Sequence, residues 1–273
     1  MLSKFFKNRK SGNSSAVEMT FFEHLDALRS HLFRAAIYIF IGALIVFLQK
    51  RFIFDVVILG PLHEDFITYR FFCQLSEFTC FHPSGVKLIT RELSEQLMVH
   101  LKVSFFLGLT LAFPFVFNEF WKFVRPGLYE RELRATRGVI FWCTMLFLLG
   151  VLFGYFILAP FSVTFLTSYN VSGLVEATAT LSSYVDAMTM YTMATGLVFE
   201  MPLAVYFLAK LGIMGPGFMK TYRRHAVVII LVLAAVITPP DITSMMVVTL
   251  PLLLLYELSI YIAAIYYPKD IPA

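Results

Sequence analysis

The feature that most constrains this chain is a series of long apolar stretches separated by short polar loops. Charged residues make up only 15% of its 273 residues, against roughly 25% in soluble domains. A backbone that crosses lipid must satisfy its own hydrogen bonds, which an α-helix does. We therefore predict an all-α, polytopic membrane protein with one six-span domain over residues 18–267. The spans are predicted near residues 33–48, 97–117, 138–159, 190–210, 226–238 and 245–262.

The distribution of Lys and Arg predicts the orientation of these spans. Fifteen of the 22 Lys and Arg residues fall in segments assigned to the cytosol, five fall in the first outer loop, and the other outer loops carry none. Short basic loops stay on the cytosolic side of a membrane. Both chain ends are therefore predicted inside. The net charge of +4 reflects this asymmetry, and no nucleic-acid binding is predicted from it.

The segments outside the spans differ in composition. Residues 1–17 are basic and rich in Ser and Asn, which predicts a disordered cytosolic tail. Residues 268–273 are predicted to form a second cytosolic tail. Residues 49–96 are polar and interrupted by Pro and Gly, which predicts an outer loop, with β-like composition at Phe66–Phe72. The first 31 residues are too polar for a cleavable signal peptide.

Helix length and prolines predict two irregular spans. Residues 226–238 would rise only about 20 Å as a helix, against a hydrocarbon core of about 30 Å. A span this short must thin the bilayer or lie in a hollowed part of the molecule. Pro114 is predicted to kink or loosen the second span, and Pro160 to end the third.

Motifs of the common enzyme classes are missing from the sequence. The chain has no Walker-type phosphate loop, no G-x-S-x-G, no H-E-x-x-H and no C-x-x-C. Its six His residues lack metal-ligand spacing. We therefore predict no enzyme activity, no catalytic residue, no metal and no cofactor. Cys73 and Cys80 lie in the outer loop, where an oxidising compartment permits a disulfide, and both the paired and the free state stay open.

One charged island lies between the second and third spans. Residues 120–137 combine four aromatic residues with five basic ones and with the acids Glu130 and Glu132. A loop this short and basic is typical of the cytosolic side. An acid set among aromatic rings at a membrane surface favours binding of a cationic ligand. The alternative is a loop that only anchors the topology, with its acids neutralising their neighbours.

Glu200 is the most informative acid inside a span. A carboxylate in the middle of a membrane helix costs a few kcal/mol, so such residues are functional by default. Three interpretations are open: an ion or proton site, a polar contact for a partner helix, and a protonated Glu bonded within the fold. The first would make the chain a proton- or ion-coupled small-solute transporter. The spans show no inverted repeat and little polar content, which disfavours that alternative.

Four motifs occur in a specific order along the chain. They are His24-Leu-Asp-Ala-Leu-Arg29 before the first span, the aromatic run from Phe120 to Leu128-Tyr-Glu-Arg-Glu132, Phe199-Glu-Met-Pro202, and Thr238-Pro-Pro-Asp241. They resemble the His-Leu-x-Glu-Leu-Arg opening, the Leu-Tyr-x-x-Glu loop, the Phe-Glu-x-Pro and the Thr-Pro-Pro-Asp of the TatC family. TatC is the six-span subunit of the twin-arginine protein translocase. Four motifs with the right spans between them make the match specific.

This resemblance implies a receptor and core subunit of a translocase. TatC proteins bind the Arg-Arg signal peptides of folded precursors at the cytosolic face. They assemble with single-span partners of the TatA and TatB type for export driven by the protonmotive force. The resemblance also implies a concave, cupped helical bundle in the lipid bilayer of the bacterial cytoplasmic (inner) membrane, self-associated in a larger complex.

The resemblance carries over to signal-peptide-binding residues position by position. Glu132 occupies the loop acid that receives signal arginines, and a carboxylate can accept two parallel hydrogen bonds from one guanidinium. Phe123 and Tyr129, which precede that acid in the same loop, are predicted to flank the planes of the signal arginines, and Arg29 closes the opening motif.

A second acid of the family is replaced here by Ala27. Glu23 lies four residues earlier on nearly the same helix face, so it is our first choice as the substitute. Asp26 is about 100° away and is the second choice, and a site that uses Glu132 alone is the third. The resemblance further assigns Glu200, Pro202 and Asp241 to contact with a partner's transmembrane helix.

Overall fold

The computed structural model describes residues 21–75, 80, 87–124, 138–168, 178–239 and 241–268. This part of the chain is almost entirely helical, which confirms the predicted all-α, polytopic fold class. Its main elements are α1 (Phe21–Leu48), α2 (Ile67–Leu75), β1 (Lys87–Ile89), α3 (Glu95–Val124), α4 (Val139–Ser168), β2 (Thr178–Thr180), α5 (Leu181–Val198), α6 (Met201–Lys210), α7 (Pro216–Thr221), α8 (Arg223–Ile237) and α9 (Ile242–Tyr266). Three short helical segments lie between α1 and α2: an α-helical turn at Lys50–Phe52, a π-helix at Ile53–Ile58 and a 3-10 helix at Gly60–Leu62.

Five segments in the described part are long and apolar enough to cross a membrane. They are Leu25–Leu48 of α1, the whole of α3, α4 and α9, and α5 with α6 taken together as Leu181–Lys210. Helix α8 has only 15 residues, so it rises about 22 Å. It corresponds to the fifth predicted span, which the sequence already marked as short. The concave outline and the orientation in the bilayer stay predictions.

Helix α4 continues through Pro160, so the prediction that the third span ends there is wrong. The turn before the proline, Gly154–Leu158, is a π-helical segment, and the Ala159 N–H donates to the carbonyl of Gly154, five residues back. Such a wide turn accommodates a residue that has no N–H to donate. The helix therefore runs on to Ser168.

Helices α1 and α3 pack antiparallel along most of their length, with their closest approach at Gly42 and Gly108. A Cβ added to Gly42 would lie 2.6 Å from the backbone oxygen of Gly108, and one added to Gly108 would overlap the backbone N and Cα of Ala43. Small residues at a helix crossing let two backbones approach closely in lipid. This contact sets the register in which the two helices face each other.

A second close contact joins α4 to α5. The Thr195 hydroxyl donates to the carbonyl of Gly150 at 2.9 Å and to that of Tyr191 at 2.6 Å. Gly150 and Gly154 leave no room for a Cβ against α5. Around this contact lies the apolar core, which includes Leu158, Val185 and Leu252.

The predicted outer loop contains a short helix. Residues Ile67–Leu75 form α2, so the β interpretation of Phe66–Phe72 is wrong. Aromatic residues favour strands only where a neighbouring strand is available, and here Phe66 stacks on Phe156 of α4 instead. A disulfide joins Cys73 to Cys80, which answers the question the sequence left open.

The two segments that are predicted to lie outside the membrane meet in a two-stranded parallel sheet. Strand β1 pairs with β2 in the register Lys87 to Thr178 through Ile89 to Thr180. The carboxylate of Glu95 supports this junction, because it accepts hydrogen bonds from the backbone N–H groups of Arg91 at 2.6 Å and Ser182 at 2.8 Å. The start of α3 is thereby tied to the start of α5.

Candidate functional site

The N-terminal half of α1 and the C-terminal end of α3 lie side by side, on the side of the membrane predicted to face the cytosol. The His31 Nδ1 lies 2.7 Å from the Glu119 Oε2. The His31 ring also contacts the Phe123 ring edge to face, with 6.5 Å between centroids. Two stretches 88 residues apart thus form one surface, which lies one helical turn beyond the opening motif of α1 and includes Phe123 from the start of the aromatic loop.

On α1, Ala27 lies on the same side as His31, and Asp26 lies on an exposed side. Ala27 is half-buried, and it precedes His31 by one helical turn on the same face. Asp26 and Arg29 are exposed and line an open groove whose walls come from α1 alone among the described residues. The position where the family carries its acid therefore lies on the His31 side of α1, whereas Asp26 does not.

Residue 23 shares the face of Ala27 by helical register, because α1 already includes it. The side chain of Glu23 lies outside the described part of the chain. Glu132 and Tyr129 belong to residues 125–137, which also lie outside it. Of the predicted signal-peptide-binding residues, the structure thus brings Phe123 to the surface shared by α1 and α3. It places Asp26 and Arg29 on another face of α1.

Glu119 is a residue of this surface that the sequence analysis missed. Its side chain is 2% exposed. Its Oε1 accepts from Lys122 Nζ at 2.6 Å, and Arg34 Nη1 lies 3.7 Å from its Oε2. A sequence signal was present, since an acid near the end of an apolar span with Lys three residues later suggests an ion pair on one helix face. No sequence pattern indicated that Glu119 would also contact α1.

Glu200 and Pro202 lie at a break between α5 and α6. Helix α5 ends at Val198, Glu200 precedes the first residue of α6, and Pro202 occupies the second position of α6, where a missing N–H costs nothing. Both Glu200 carboxylate oxygens are buried and have no hydrogen bond of normal geometry within the described chain. Pro202 lines an apolar groove with Trp142, Tyr206 and Leu258.

Asp241 has a structural role that the sequence analysis did not predict. It caps the start of α9, where its Oδ2 accepts from the Ser244 N–H at 2.6 Å. Asp at this position satisfies a backbone donor that the helix leaves open. The residue is buried, so contact of its carboxylate with a partner's helix stays a prediction.

Two further ion pairs link neighbouring helices. Lys102 of α3 pairs with Asp186 of α5, and Arg223 of α8 pairs with Glu257 of α9 at 2.6 Å. All four side chains are at least one-third exposed, so each pair contributes little to stability. Across the described ranges, no group of three His, Cys, Asp or Glu side chains lies close enough to hold a metal ion.

Taken together, the fold and this surface define a multi-pass membrane protein with a cluster of aromatic and charged side chains at one end of two packed helices. Residues 23–251 match the family model described as Sec-independent protein translocase protein (TatC). The chain therefore belongs to the TatC family. This membership confirms the resemblance that the four motifs indicated.

Individual relatives agree with the family match over most of the chain. The chain is 39% identical over 255 residues to the TatC of Blattabacterium sp. subsp. Periplaneta americana, covering 90% of this chain and 95% of the relative. It is 34% identical to TatCy of Bacillus subtilis, covering 92% and 91%. A crystal structure of a twin-arginine translocase receptor TatC superimposes with a TM-score of 0.68, 31% identity, and coverage of 88% of this chain and 98% of the other.

Proposed function

We propose that this protein is the receptor subunit of a twin-arginine translocase. In this role it binds Arg-Arg signal peptides of folded precursors at the cytosolic face of a bacterial inner membrane, and it acts by binding, not as an enzyme. The observation that carries the proposal is the meeting of α1 and α3, where Ala27 of the opening motif lies on the face of His31 and Phe123 contacts His31.

Glu132 is the proposed acceptor of the signal arginines. It follows Val124, the last described residue of α3, by eight positions, so chain connectivity keeps its Cα within about 30 Å of that helix end. Phe123 and Tyr129 supply aromatic faces on which a guanidinium can stack. Glu23 is proposed as the second acid, because residue 23 shares the helix face of Ala27 and Asp26 does not.

Site-specific photocrosslinking tests this assignment. Photoreactive residues are placed at positions 23, 26, 123 and 132 of the protein in its membrane, with position 254 as control, since Leu254 is exposed on the apolar surface of α9. A labelled Arg-Arg peptide should crosslink at 132, 123 and 23, and the signal should vanish with a Lys-Lys peptide. Equal crosslinking of both peptides, or none at 123 and 132, would reject the receptor assignment.

Partner helices are proposed to dock beside Glu200. These partners are single-span membrane proteins of the TatA and TatB type, in a complex that contains more than one copy of this chain. The Glu200 carboxylate lies at the break between α5 and α6 beside the Cys143 thiol, and it has no hydrogen bond of normal geometry in the described chain. A polar contact with a partner helix at this break is proposed to supply one, once the side chain turns outward. The alternative of a small-solute transporter that uses Glu200 draws no support from the family match.

A Glu200→Gln variant should weaken partner binding by roughly 3- to 30-fold, which corresponds to one interhelical hydrogen bond in a membrane. The measurement is co-purification of a tagged single-span partner with the protein. Glu257→Gln is the matched control, because that acid already pairs with Arg223, and it should recover the partner normally. Full recovery with Glu200→Gln would place the partner elsewhere.

A further inference from the structure

Glu119 is a buried carboxylate surrounded by basic groups at the proposed signal-peptide site. Lys122 Nζ and His31 Nδ1 lie within hydrogen-bond distance of its two oxygens, and Arg34 lies 3.7 Å away. Lys122 and Arg34 both carry a positive charge. One acid therefore balances at least two cations, and without it the surface beside the site would be strongly positive.

Glu119 is too buried to accept hydrogen bonds from the arginines of a signal peptide. The side chain is 2% exposed, whereas Lys122 and Arg34 are about half exposed, at 48% and 54%. Both Glu119 oxygens are already engaged by groups of the chain itself. An incoming guanidinium therefore meets the outer sides of Lys122 and Arg34 before it can reach this carboxylate.

The location of the cluster links it to peptide binding. Glu119 precedes Phe123 by one turn of α3, and the His31 side chain that contacts Glu119 also contacts the Phe123 ring. On α1, His31 follows Ala27 by one turn. Ala27 itself carries no charge, so α1 adds no acid at this position to offset the cations around Glu119.

We propose that Glu119 is a charge-balancing positioning residue, which neutralises Lys122 and Arg34 so that an Arg-Arg pair can bind beside them. This inference rests on the proposed receptor function. Like charges brought together at a surface of reduced dielectric repel each other, and mobile ions screen that repulsion. Glu119 thus acts on the peptide through Lys122 and Arg34 and makes no contact with the peptide itself.

The test measures Arg-Arg peptide affinity with the full-length protein in lipid nanodiscs. Glu119→Gln should weaken binding at least tenfold at about 0.1 M salt, where the Debye length is about 10 Å, and much less at about 1 M, where it is about 3 Å. The double variant Glu119→Gln with Lys122→Met should return to within threefold of the parent. Glu257→Gln, which breaks an ion pair of another helix pair, should leave affinity unchanged.

Several outcomes would overturn the inference. Affinity that stays low in the double variant would show that Glu119 only fastens α1 to α3, and unchanged affinity in Glu119→Gln would show no role in binding. If Glu119→Gln does not fold, the single variant Lys122→Met tests the inference instead. Removal of one cation should tighten peptide binding about threefold. Weaker or unchanged peptide binding in Lys122→Met would contradict the proposal that the charge of Lys122 opposes the peptide.

The same assay separates this inference from the receptor function. A parent protein that binds Arg-Arg and Lys-Lys peptides equally would refute the receptor function. A parent that discriminates between them, together with a Glu119→Gln variant of normal affinity, would refute only the role of Glu119.

Discussion

A Glu132→Gln variant is expected to lose Arg-Arg peptide affinity by roughly 30-fold or more, which is about 2 kcal/mol. A carboxylate accepts two parallel charge-assisted hydrogen bonds from a guanidinium, and an amide of the same shape offers one oxygen and no charge. The reduction should be measured by titrating a labelled signal peptide against purified protein in nanodiscs. The midpoint of thermal unfolding should be measured in parallel, and an unchanged midpoint would show that the loss of affinity does not come from unfolding.

Glu130→Gln is the matched control for this prediction. Glu130 lies two residues earlier in the same loop, so the variant changes the net charge of the loop equally. It does not alter the position that matches the family motif. Equal loss of affinity in both variants would show that only the loop's overall charge matters, and the assignment of Glu132 as acceptor would then be wrong.

Gly108→Val is expected to separate α1 from α3. Even a Cβ at this position would overlap the backbone of Ala43, and a backbone cannot move aside as a flexible side chain does. The cost should reach or exceed the roughly 3 kcal/mol at the upper end of overpacking effects. The expected result is a lower midpoint of thermal aggregation in detergent, together with loss of signal-peptide binding, because both helices carry the proposed site.

Leu111→Phe provides the comparison on the same helix. Leu111 is 58% exposed on the apolar surface of α3, so the larger ring extends outward and should cost little. A Gly108→Val protein with the stability of the parent would mean that α1 and α3 do not approach each other at Gly42 and Gly108. The placement of His31 beside Glu119 would then lose its basis as well.

Local sequence patterns predicted most of the membrane spans of this protein. They failed where the backbone geometry or contacts with other segments determine the secondary structure. The spans followed from runs of apolar residues, which any segment displays without its neighbours. The helix through Pro160 was missed because a π-helical turn at Gly154–Leu158 compensates for the proline. The helix α2 was missed because Phe66 finds its ring partners on α4 and not on a strand.

The functional surface shows the same division. The opening motif, the aromatic loop and Glu200 were recognisable from residue types and order. The contacts of Glu119 with α1 were not, because His31 and Arg34 lie more than 80 positions away from it. The choice between Glu23 and Asp26 stays a prediction, with Glu23 first because residue 23 shares the helix face of Ala27.

The sequence by itself determined the class of the molecule, the order of its spans, and its membership of the TatC family, because hydropathy and short motifs are properties of contiguous residues. The tertiary structure alone decided that the α1 face carrying His31 packs against α3, and that Glu119 collects His31 and Arg34 of α1 beside Lys122 of its own helix. These contacts depend on the register between helices. For α1 and α3 that register is set by the close approach of two backbones at Gly42 and Gly108.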